Sequence, residues 1–395
     1  MASTANLFFK PRLLTPGPSP VPDFVHAAMQ TGVYYHRSPE FATVMNECRD
    51  SLKKVFGTKE DVLMLTGSGT LSMEAALVSL FNRGDAVIAV NSGKFGARWV
   101  EQSKVYGLAV HEIKVDAGKC VDVLEVERLA KANPGVRAIL VHASETSTSV
   151  RHDLKSIAKI AQGLKDCLTI VDGITAVGIV EVPMDKWGID VLCSGSQKGF
   201  MLPPGLSLIA LSQKAWARTA NVTIQGYYMD LRKERKAQAE GSTAFTGAVT
   251  LIAGLHATLK FIESQGIPEF FESRWKMVSA TRAALRALGL KLFVEDENAY
   301  SPACTAVHTE GLVANKDLKT AYGLTVAGGQ DELKGKIIRI GHLGYMDAWD
   351  VLNQIMALGW VFAAKGKNVD IAAAVNTFHR ELGSAESRVP QNWRI

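Results

Sequence analysis

The sequence has few of the features that mark secreted, membrane or metal-binding proteins. Its five cysteines are an odd number, are widely scattered and include no Cys-x-x-Cys pair, so neither a disulfide framework nor a zinc site is indicated. No apolar run is long enough to span a bilayer, and the first ten residues lack the uninterrupted apolar core of a secretory signal. We therefore expect a cytoplasmic protein without a metal site or a membrane partner.

Long runs of one charge are also missing. The 44 Lys and Arg residues are offset by 39 Asp and Glu residues, which leaves a net charge of +5. The densest basic cluster, residues 232–236, contains its own glutamate and is typical of a solvated helix face. We therefore expect no nucleic-acid partner.

The apolar content of the chain is sufficient for two lobes, since 47% of its 395 residues are hydrophobic. Short β-rich runs alternate with amphipathic stretches, and the runs are residues 62–65, 87–90, 109–113, 138–141, 168–171, 191–193 and 206–211. This rhythm predicts an α/β fold with a mostly parallel, seven-stranded sheet between helices. Such sheets bind ligands at the carboxyl ends of their strands, so the loops after these runs are the candidate site.

Three units are expected along the chain. The proline-dense beginning, residues 1–22, predicts an extended arm. A large domain over 23–265 would end in a long helix that starts at residue 247. A smaller α+β domain over 266–395 would contain a helix to residue 287, strands at 290–294, 303–308 and 337–340, and helices at 347–364 and 370–382.

Lys198 is the most informative residue. It follows the apolar run 191–193 and precedes a Pro-Pro-Gly bend at 203–205, which predicts a buried position. A buried lysine is costly unless its charge is paired or its amine is covalently occupied. It is therefore either a structural salt-bridge lysine or a lysine that forms an imine, for which pyridoxal phosphate is the common carbonyl partner.

Two further features stand at strand ends. Residues 66–70, Thr-Gly-Ser-Gly-Thr, join a strand to a helix and suit a phosphate, although a plain βα turn explains them equally well. Asp172 follows the apolar run 168–171 at a strand end, where a carboxylate can keep a pyridine nitrogen protonated; a helix cap or an ion pair is the alternative. Phosphate turn, Asp172 and Lys198 occur in this order, and their conjunction favours pyridoxal phosphate over chance.

At this point the chain resembles the class V aminotransferases of fold type I, the pyridoxal-phosphate family that includes alanine–glyoxylate, serine–glyoxylate and serine–pyruvate aminotransferases. The resemblance extends over nearly all 395 residues. It rests on Thr15-Pro-Gly-Pro, Tyr35-His-Arg-Ser-Pro-Glu-Phe, Thr66-Gly-Ser-Gly-Thr, Glu145-Thr-Ser-Thr-Ser-Val, Val171-Asp, Ser194-Gly-Ser-Gln-Lys-Gly, Pro203-Pro-Gly and Ile338-Arg-Ile-Gly-His-Leu-Gly.

The resemblance implies a role for each residue that matches these motifs. Lys198 would be the Schiff-base lysine and proton carrier, and Asp172 the partner of the pyridinium nitrogen. The phosphate would be bound by Ser68, Gly69, Thr70 and Gln197. Phe95 would stack on the cofactor ring, in a position where many relatives have Trp, and Thr146 would lie near the phenolic oxygen; a core phenylalanine and a hydroxyl-capped turn are the alternatives.

The same resemblance implies a homodimer. Thr246, with Thr243 nearby, would reach across to the phosphate site of the partner, although capping of the following helix explains both residues locally. Arg339 lies in an apolar strand, and its planar fork fits the α-carboxylate of a substrate; a structural pair with a carboxylate is the alternative. His342, His36 and Arg37 have less specific contexts, and His342 fits a satisfied hydrogen-bonding histidine better than an acid or base.

These roles predict a ping-pong transaminase that uses alanine or serine as amino donor and glyoxylate or pyruvate as acceptor. An aminotransferase for phosphoserine or 2-aminoethylphosphonate is the first alternative, and it needs an additional cation such as Arg37 or His342. A cysteine desulfurase is disfavoured because Cys304 lies in a predicted strand. A non-catalytic subunit that retains the fold is the alternative from another class.

Overall fold

The computed structural model of the protein describes residues 8–31, 34–384 and 389–394. Its strands are β1 (Arg12–Leu13), β2 (Val62–Thr66), β3 (Ala86–Asn91), β4 (Ala109–Lys114), β5 (Ala138–His142), β6 (Ser144–Glu145), β7 (Val150–Arg151), β8 (Leu168–Asp172), β9 (Val191–Gly195), β10 (Leu206–Leu211), β11 (Cys304–His308), β12 (Leu324–Thr325), β13 (Ala327–Gly328) and β14 (Ile337–Gly341).

Helices separate most strands of the large sheet, whereas β9 and β10 follow each other directly. The helices are α1 (Asp23–Gln30), α2 (Pro39–Phe56), α3 (Gly69–Leu80), α4 (Lys94–Val105), α5 (Val123–Ala132), α6 (Leu154–Gln162), α7 (Met184–Trp187), α8 (Gln213–Thr219), α9 (Leu231–Ala239), α10 (Val249–Ser264), α11 (Ile267–Ala287), α12 (Asn315–Tyr322), α13 (Ala348–Ala364) and α14 (Ile371–Leu382).

The large sheet contains all seven predicted strands, in the order β2-β10-β9-β8-β5-β3-β4. Strand β10 is antiparallel to both of its neighbours, and the other pairs are parallel. Alternate residues face two apolar cores: Val141 and Val171 belong to one, and Leu140 and Ile170 to the other. The mostly parallel α/β sheet predicted from the sequence is therefore confirmed, and both of its faces are covered by helices.

The smaller sheet has the order β11-β14-β13 and is antiparallel. It packs against helices α11 and α13 around an apolar core of its own. The strand predicted at 290–294 was wrong in extent, because the chain bends at Phe293 and only Leu292 forms a bridge, to Val307. The α+β character of this lobe agrees with the prediction.

Two connections position the candidate site. The arm is anchored to the small lobe because β1 pairs in parallel with β12. The two lobes meet at Gly266, between α10 and α11, where a φ of +76° favours glycine. The exact domain boundaries at residues 22 and 265 stay predictions.

In the described ranges, the helices are all too short or too polar to cross a bilayer.

Candidate active site

The phosphate turn lies where the sequence places it, between β2 and α3. Ser68 occupies the N-cap position of α3, and its side chain makes no capping hydrogen bond. A Cβ atom on Gly69 would lie 2.7 Å from Ile174 Cδ1 and 3.5 Å from Gly195 Cα. The absence of a side chain at Gly69 lets the turn pack against the ends of β8 and β9, and a larger residue would require the Ile174 side chain to move. The helix N-terminus there can receive an anion.

Asp172 is the last residue of β8 and is only 7% exposed. Its Oδ1 accepts a hydrogen bond of 2.9 Å from the backbone N–H of Ile174. Burial raises the pKa of Asp172 to about 6, and the hydrogen bond and the positive charges of Arg98 and Lys198 act in the opposite direction. A buried carboxylate with this balance is stabilised further by a protonated nitrogen.

Lys198 follows β9 and is 8% exposed. Its Nζ donates a hydrogen bond of 2.8 Å to the carbonyl oxygen of Pro16 in the arm. Burial lowers the pKa of Lys198 to about 8; nearby Arg339 lowers it further, whereas Asp172 raises it. The amine is thus held by a neutral carbonyl, which does not support the alternative of a structural salt bridge.

Buried polar atoms around this lysine fit pyridoxal phosphate. Among the described residues, the Oε1 atom of Gln197 is buried and has no hydrogen-bond partner. The Lys198 amine has a single acceptor, and the carboxylate of Asp172 has one backbone donor. A phosphorylated pyridine aldehyde can engage the lysine through its carbonyl carbon, the carboxylate through a protonated ring nitrogen and the α3 N-terminus through its phosphate, to which Gln197 can donate through its amide NH₂.

Arg339 lies in β14 of the small lobe and is 6% exposed. Its Nε donates to the carbonyl of Gly328 at 2.9 Å, and its Nη1 donates to the carbonyl of Thr146 at 2.8 Å. Burial lowers the pKa of Arg339. Both acceptors are neutral, so the alternative of a structural Arg–carboxylate pair is not observed, and the guanidinium charge can bind a carboxylate.

Thr146 is almost fully buried and connects the two lobes. Besides Arg339, its carbonyl accepts a weak hydrogen bond from Cys304 Sγ at 3.7 Å. Cys304 itself lies in β11, and burial raises the pKa of its thiol. A buried thiol in a strand is unlike the mobile nucleophile that a desulfurase needs.

Glu145 and Arg98 belong to the site but escaped the sequence reasoning. Glu145 Oε2 accepts hydrogen bonds from the backbone N–H groups of Phe95 and Gly96, both at 2.9 Å. Its Oε1 accepts from the backbone and hydroxyl of Ser147 at 3.0 and 2.6 Å. A glutamate inside an otherwise uncharged, buried segment after an apolar strand was the available signal.

Arg98 connects two predicted cofactor residues. Its Nη1 donates to Thr70 Oγ1 at 3.1 Å, and its Cζ lies 5.1 Å from the centroid of the Phe95 ring. The Phe95 ring is half-buried. Glu145 holds the backbone of Phe95, and Arg98 covers one face of its ring. Stacking of this ring on the cofactor stays a prediction.

His342 is a satisfied buried histidine. Its Nε2 lies 3.0 Å from Thr305 Oγ1, and its Nδ1 lies 3.1 Å from the carbonyl oxygen of Pro302. Burial lowers the pKa of His342 to about 3, so the ring is neutral at physiological pH. It therefore does not supply a cation to the site.

Arg37 and His36 lie on the surface. The Nε of Arg37 donates to His36 Nε2 at 3.1 Å, and the carbonyl of His36 accepts from Ser242 Oγ at 2.8 Å. Arg37 is exposed. In the described chain, these residues face the segment that contains Thr243, and no contact with Lys198 is observed.

Thr243 and Thr246 line one cavity with Thr66 and Tyr228, beside the phosphate turn. Thr243 is buried, and its hydroxyl donates to the carbonyl of Phe245 at 2.5 Å. Thr246 is exposed. Action of Thr246 on a partner subunit stays a prediction.

Comparisons with known proteins agree with this geometry. The family model for aminotransferase class-V matches residues 19–331. The soluble hydrogenase 42 kDa subunit of Anabaena cylindrica is 40% identical over 376 residues, which are 93% of this chain and 98% of the relative. The serine–glyoxylate aminotransferase of Hyphomicrobium methylovorum is 34% identical over 384 residues, with 95% and 92% covered.

A solved structure extends the likeness to three dimensions. The alanine–glyoxylate aminotransferase of a Nostoc species has a TM-score of 0.85 and 28% identity, and the match covers 89% of this chain and 96% of the other. The chain therefore belongs to the class V aminotransferase family and is a pyridoxal-phosphate-dependent transaminase. The fold, enzyme class and cofactor predicted from the sequence are confirmed.

Proposed function

We propose that this transaminase moves an amino group from alanine or serine to glyoxylate or pyruvate by a ping-pong mechanism. The observation that carries the proposal is a set of three buried charged groups, Lys198, Asp172 and Arg339, whose hydrogen-bond partners are neutral. The lysine amine donates to one backbone carbonyl, the carboxylate accepts from one backbone N–H, and the guanidinium donates to two backbone carbonyls. The names of the serine–glyoxylate and alanine–glyoxylate relatives support the substrate class.

Each residue of the proposed active site has a separate role in the reaction. Bound pyridoxal phosphate supplies a reactive carbonyl carbon and a ring that withdraws electrons from the substrate's α-carbon. Arg339 binds the α-carboxylate through its planar fork and orients the α-carbon toward Lys198. Asp172 holds a proton at the pyridine nitrogen. The neutral amine of Lys198 would take the α-proton as a general base and, as an acid, would return it to C4′, the former aldehyde carbon of the cofactor.

The remaining cofactor contacts are proposed on the same basis. Ser68, Gly69, Thr70 and Gln197 would hold the phosphate, and Phe95 would cover one face of the ring. Two subunits would complete each site, with Thr246 and Thr243 reaching the partner's phosphate. The five cysteines are free thiols in the structure, which supports the proposal of a cytoplasmic enzyme.

A substrate panel tests the proposal. The purified enzyme, loaded with pyridoxal phosphate, is mixed separately with alanine, serine, phosphoserine and 2-aminoethylphosphonate, and the absorption change to the amino form of the cofactor is recorded. Alanine or serine should convert it, and glyoxylate or pyruvate should restore the starting spectrum. Conversion by phosphoserine or 2-aminoethylphosphonate alone would replace the proposal by its first alternative.

The neutral state of His342 counts against that alternative, because it removes one of the two candidate cations. The alternative of a non-catalytic subunit has one observation behind it, the name of the hydrogenase-subunit relative, and membership of the transaminase family counts against it. It predicts that the protein converts no amino donor, although it retains the fold. The buried Lys198, Asp172 and Arg339 support the catalytic proposal, since a purely structural subunit gains nothing from three uncompensated buried charges.

A further inference from the structure

The arm touches the reactive lysine directly. The carbonyl of Pro16 is the acceptor for Lys198 Nζ at 2.8 Å. The next residue, Gly17, has a φ of +111°, and a Cβ atom there would lie 2.0 Å from Nζ. Only glycine lets the backbone lie against the amine in this way.

The arm also binds the backbone of the lysine. Ser19 is 2% exposed. Its N–H donates to the carbonyl of Gln197 at 3.0 Å, and its hydroxyl donates to the carbonyl of Lys198 at 2.9 Å. The turn between these contacts is closed by a hydrogen bond of 2.8 Å from Thr15 Oγ1 to the carbonyl of Pro18.

The other end of the same segment pairs with β12 and lies against β14, the strand that carries Arg339. The N–H of Leu14 donates to the carbonyl of Thr325 at 2.9 Å, directly after the β1–β12 pairing. A Cβ atom on Gly341, two residues after Arg339 in β14, would lie 2.8 Å from the carbonyl oxygen of Leu14. The arm therefore spans the distance from the carboxylate-binding strand to the lysine.

We propose that the turn 15–19 is a positioning element for Lys198: Ser19 fixes the backbone of the lysine, and the Pro16 carbonyl holds the amine whenever it is not bound to the cofactor. This rests on the proposed function of Lys198 as proton carrier. A neutral amine has two hydrogens and one lone pair. Donation of one hydrogen to Pro16 leaves the lone pair free to accept the α-proton, and it restricts the rotation of a side chain with four flexible bonds.

Three variants test the proposal. Ser19→Ala removes the hydroxyl contact, and Gly17→Ala forces the arm away from the amine. Thr31→Ala is the control, because it removes a similar hydrogen bond, from Thr31 Oγ1 to the carbonyl of Ala28, at an exposed helix end. Thermal unfolding of each apoenzyme checks that the variants are folded. If Ser19→Ala does not fold, Gly17→Ala still tests the proposal.

The first readout needs no turnover. Lys198 in the apoenzyme is methylated reductively with formaldehyde across a pH series, and its modification is quantified by mass spectrometry. Ser19→Ala and Gly17→Ala should change the rate at Lys198 by about fivefold or shift the pH midpoint, since a hydrogen bond of about 1 kcal/mol corresponds to roughly that factor. Thr31→Ala should match the wild type. Wild-type rates and midpoints in both arm variants would overturn the proposal.

The second readout uses the loaded enzyme. The arm variants should lower kcat by about tenfold to a hundredfold with little change in KM, and they should increase the kinetic isotope effect of α-deuterated alanine, because misplacement acts on proton transfer. A rise in KM alone, with an unchanged isotope effect, would contradict the positioning role. If no amino donor reacts with the wild type, the proposed function is wrong. The methylation experiment tests the role of the arm independently of that result.

Discussion

At the scale of single residues, the site is a set of charges that the fold stabilises poorly without a ligand. Asp172 has a raised pKa and Lys198 a lowered one, and burial is the largest cause of both shifts. Burial therefore destabilises the charged form of each group. Sites that carry out proton transfer tend to have this property, because binding of the cofactor and substrate offsets the cost.

Asp172→Asn should therefore stabilise the apoenzyme at alkaline pH. The folded-state pKa of about 6 lies above the ordinary pKa of 3.8 for an aspartate, so the folded state binds the proton more tightly, and ionisation reduces stability as pH rises through this interval. Above pH 6 the substitution should add about 2–3 kcal/mol to the free energy of unfolding, since each pKa unit corresponds to about 1.4 kcal/mol. Below pH 4 it should add nothing.

Urea unfolding of both apoenzymes at pH 4 and pH 8 measures this difference. The same variant should lose nearly all transamination at every pH, because a neutral amide does not keep the pyridine nitrogen protonated. Equal destabilisation of the variant at the two pH values would show that Asp172 is a structural residue.

Lys198 should react in the apoenzyme with a midpoint near pH 8, which is the pKa that burial gives it. A lowered pKa makes the amine a better nucleophile at neutral pH than an exposed lysine is. The rate at which pyridoxal phosphate is taken up by the apoenzyme, followed by absorbance, should rise through that pH. A rise only near pH 10 would contradict the burial of the amine.

At the scale of secondary-structure elements, the N-terminus of α4 is held by one glutamate. Glu145 Oε2 accepts hydrogen bonds from the backbone N–H groups of Phe95 and Gly96, in the first turn of this helix. Glu145→Gln replaces one carboxylate oxygen by an NH₂ group that faces further N–H donors. We expect a loss of about 1–3 kcal/mol in stability and weaker binding of pyridoxal phosphate, since Phe95 is displaced.

Glu112→Gln is the matched control for this prediction. Glu112 accepts one hydrogen bond from Asn91 Nδ2 at 2.7 Å, and a glutamine can replace it there. Equilibrium titration of the two apoenzymes with pyridoxal phosphate should separate them. Equal affinities would show that α4 does not depend on Glu145.

The elements also show where sequence reasoning succeeds. All seven strands of the large sheet were predictable because each is a short apolar run followed by a turn, and Lys198 and Asp172 were predictable because strand ends in parallel sheets face the ligand. The contacts of Glu145, Arg98 and Pro16 were not, since each joins elements that are far apart in sequence. Residues 290–294 have the apolar composition of a strand, but a bend at Phe293 limits their pairing to one bridge at Leu292.

At the scale of the whole molecule, the main question is whether two chains form each site. Mixed dimers answer it. One subunit carries Lys198→Ala with a normal Thr246, and the other carries Thr246→Glu with a normal Lys198. If Thr246 acts on the partner's phosphate, one site of the mixed dimer contains both normal residues, and activity should return although each parent is inactive.

If Thr246 acts within its own chain, both sites of the mixed dimer carry one substitution, and no activity should return. Normal activity of the Thr246→Glu parent would instead show that the residue has no role at the phosphate, since the N-cap position of α10 is Ala248 and, in the described chain, no side chain caps this helix. Size-exclusion chromatography with light scattering should find a dimer in each preparation, because the proposed sites need both subunits.

The most direct test of the account is the chemical position of the cofactor. The loaded protein is reduced with borohydride, digested and analysed by mass spectrometry. The account predicts a phosphopyridoxyl group on the peptide that contains Lys198, and its disappearance when alanine or serine is added before reduction. The group on another lysine, or on none, would contradict the assignment of Lys198 and with it the proposed mechanism.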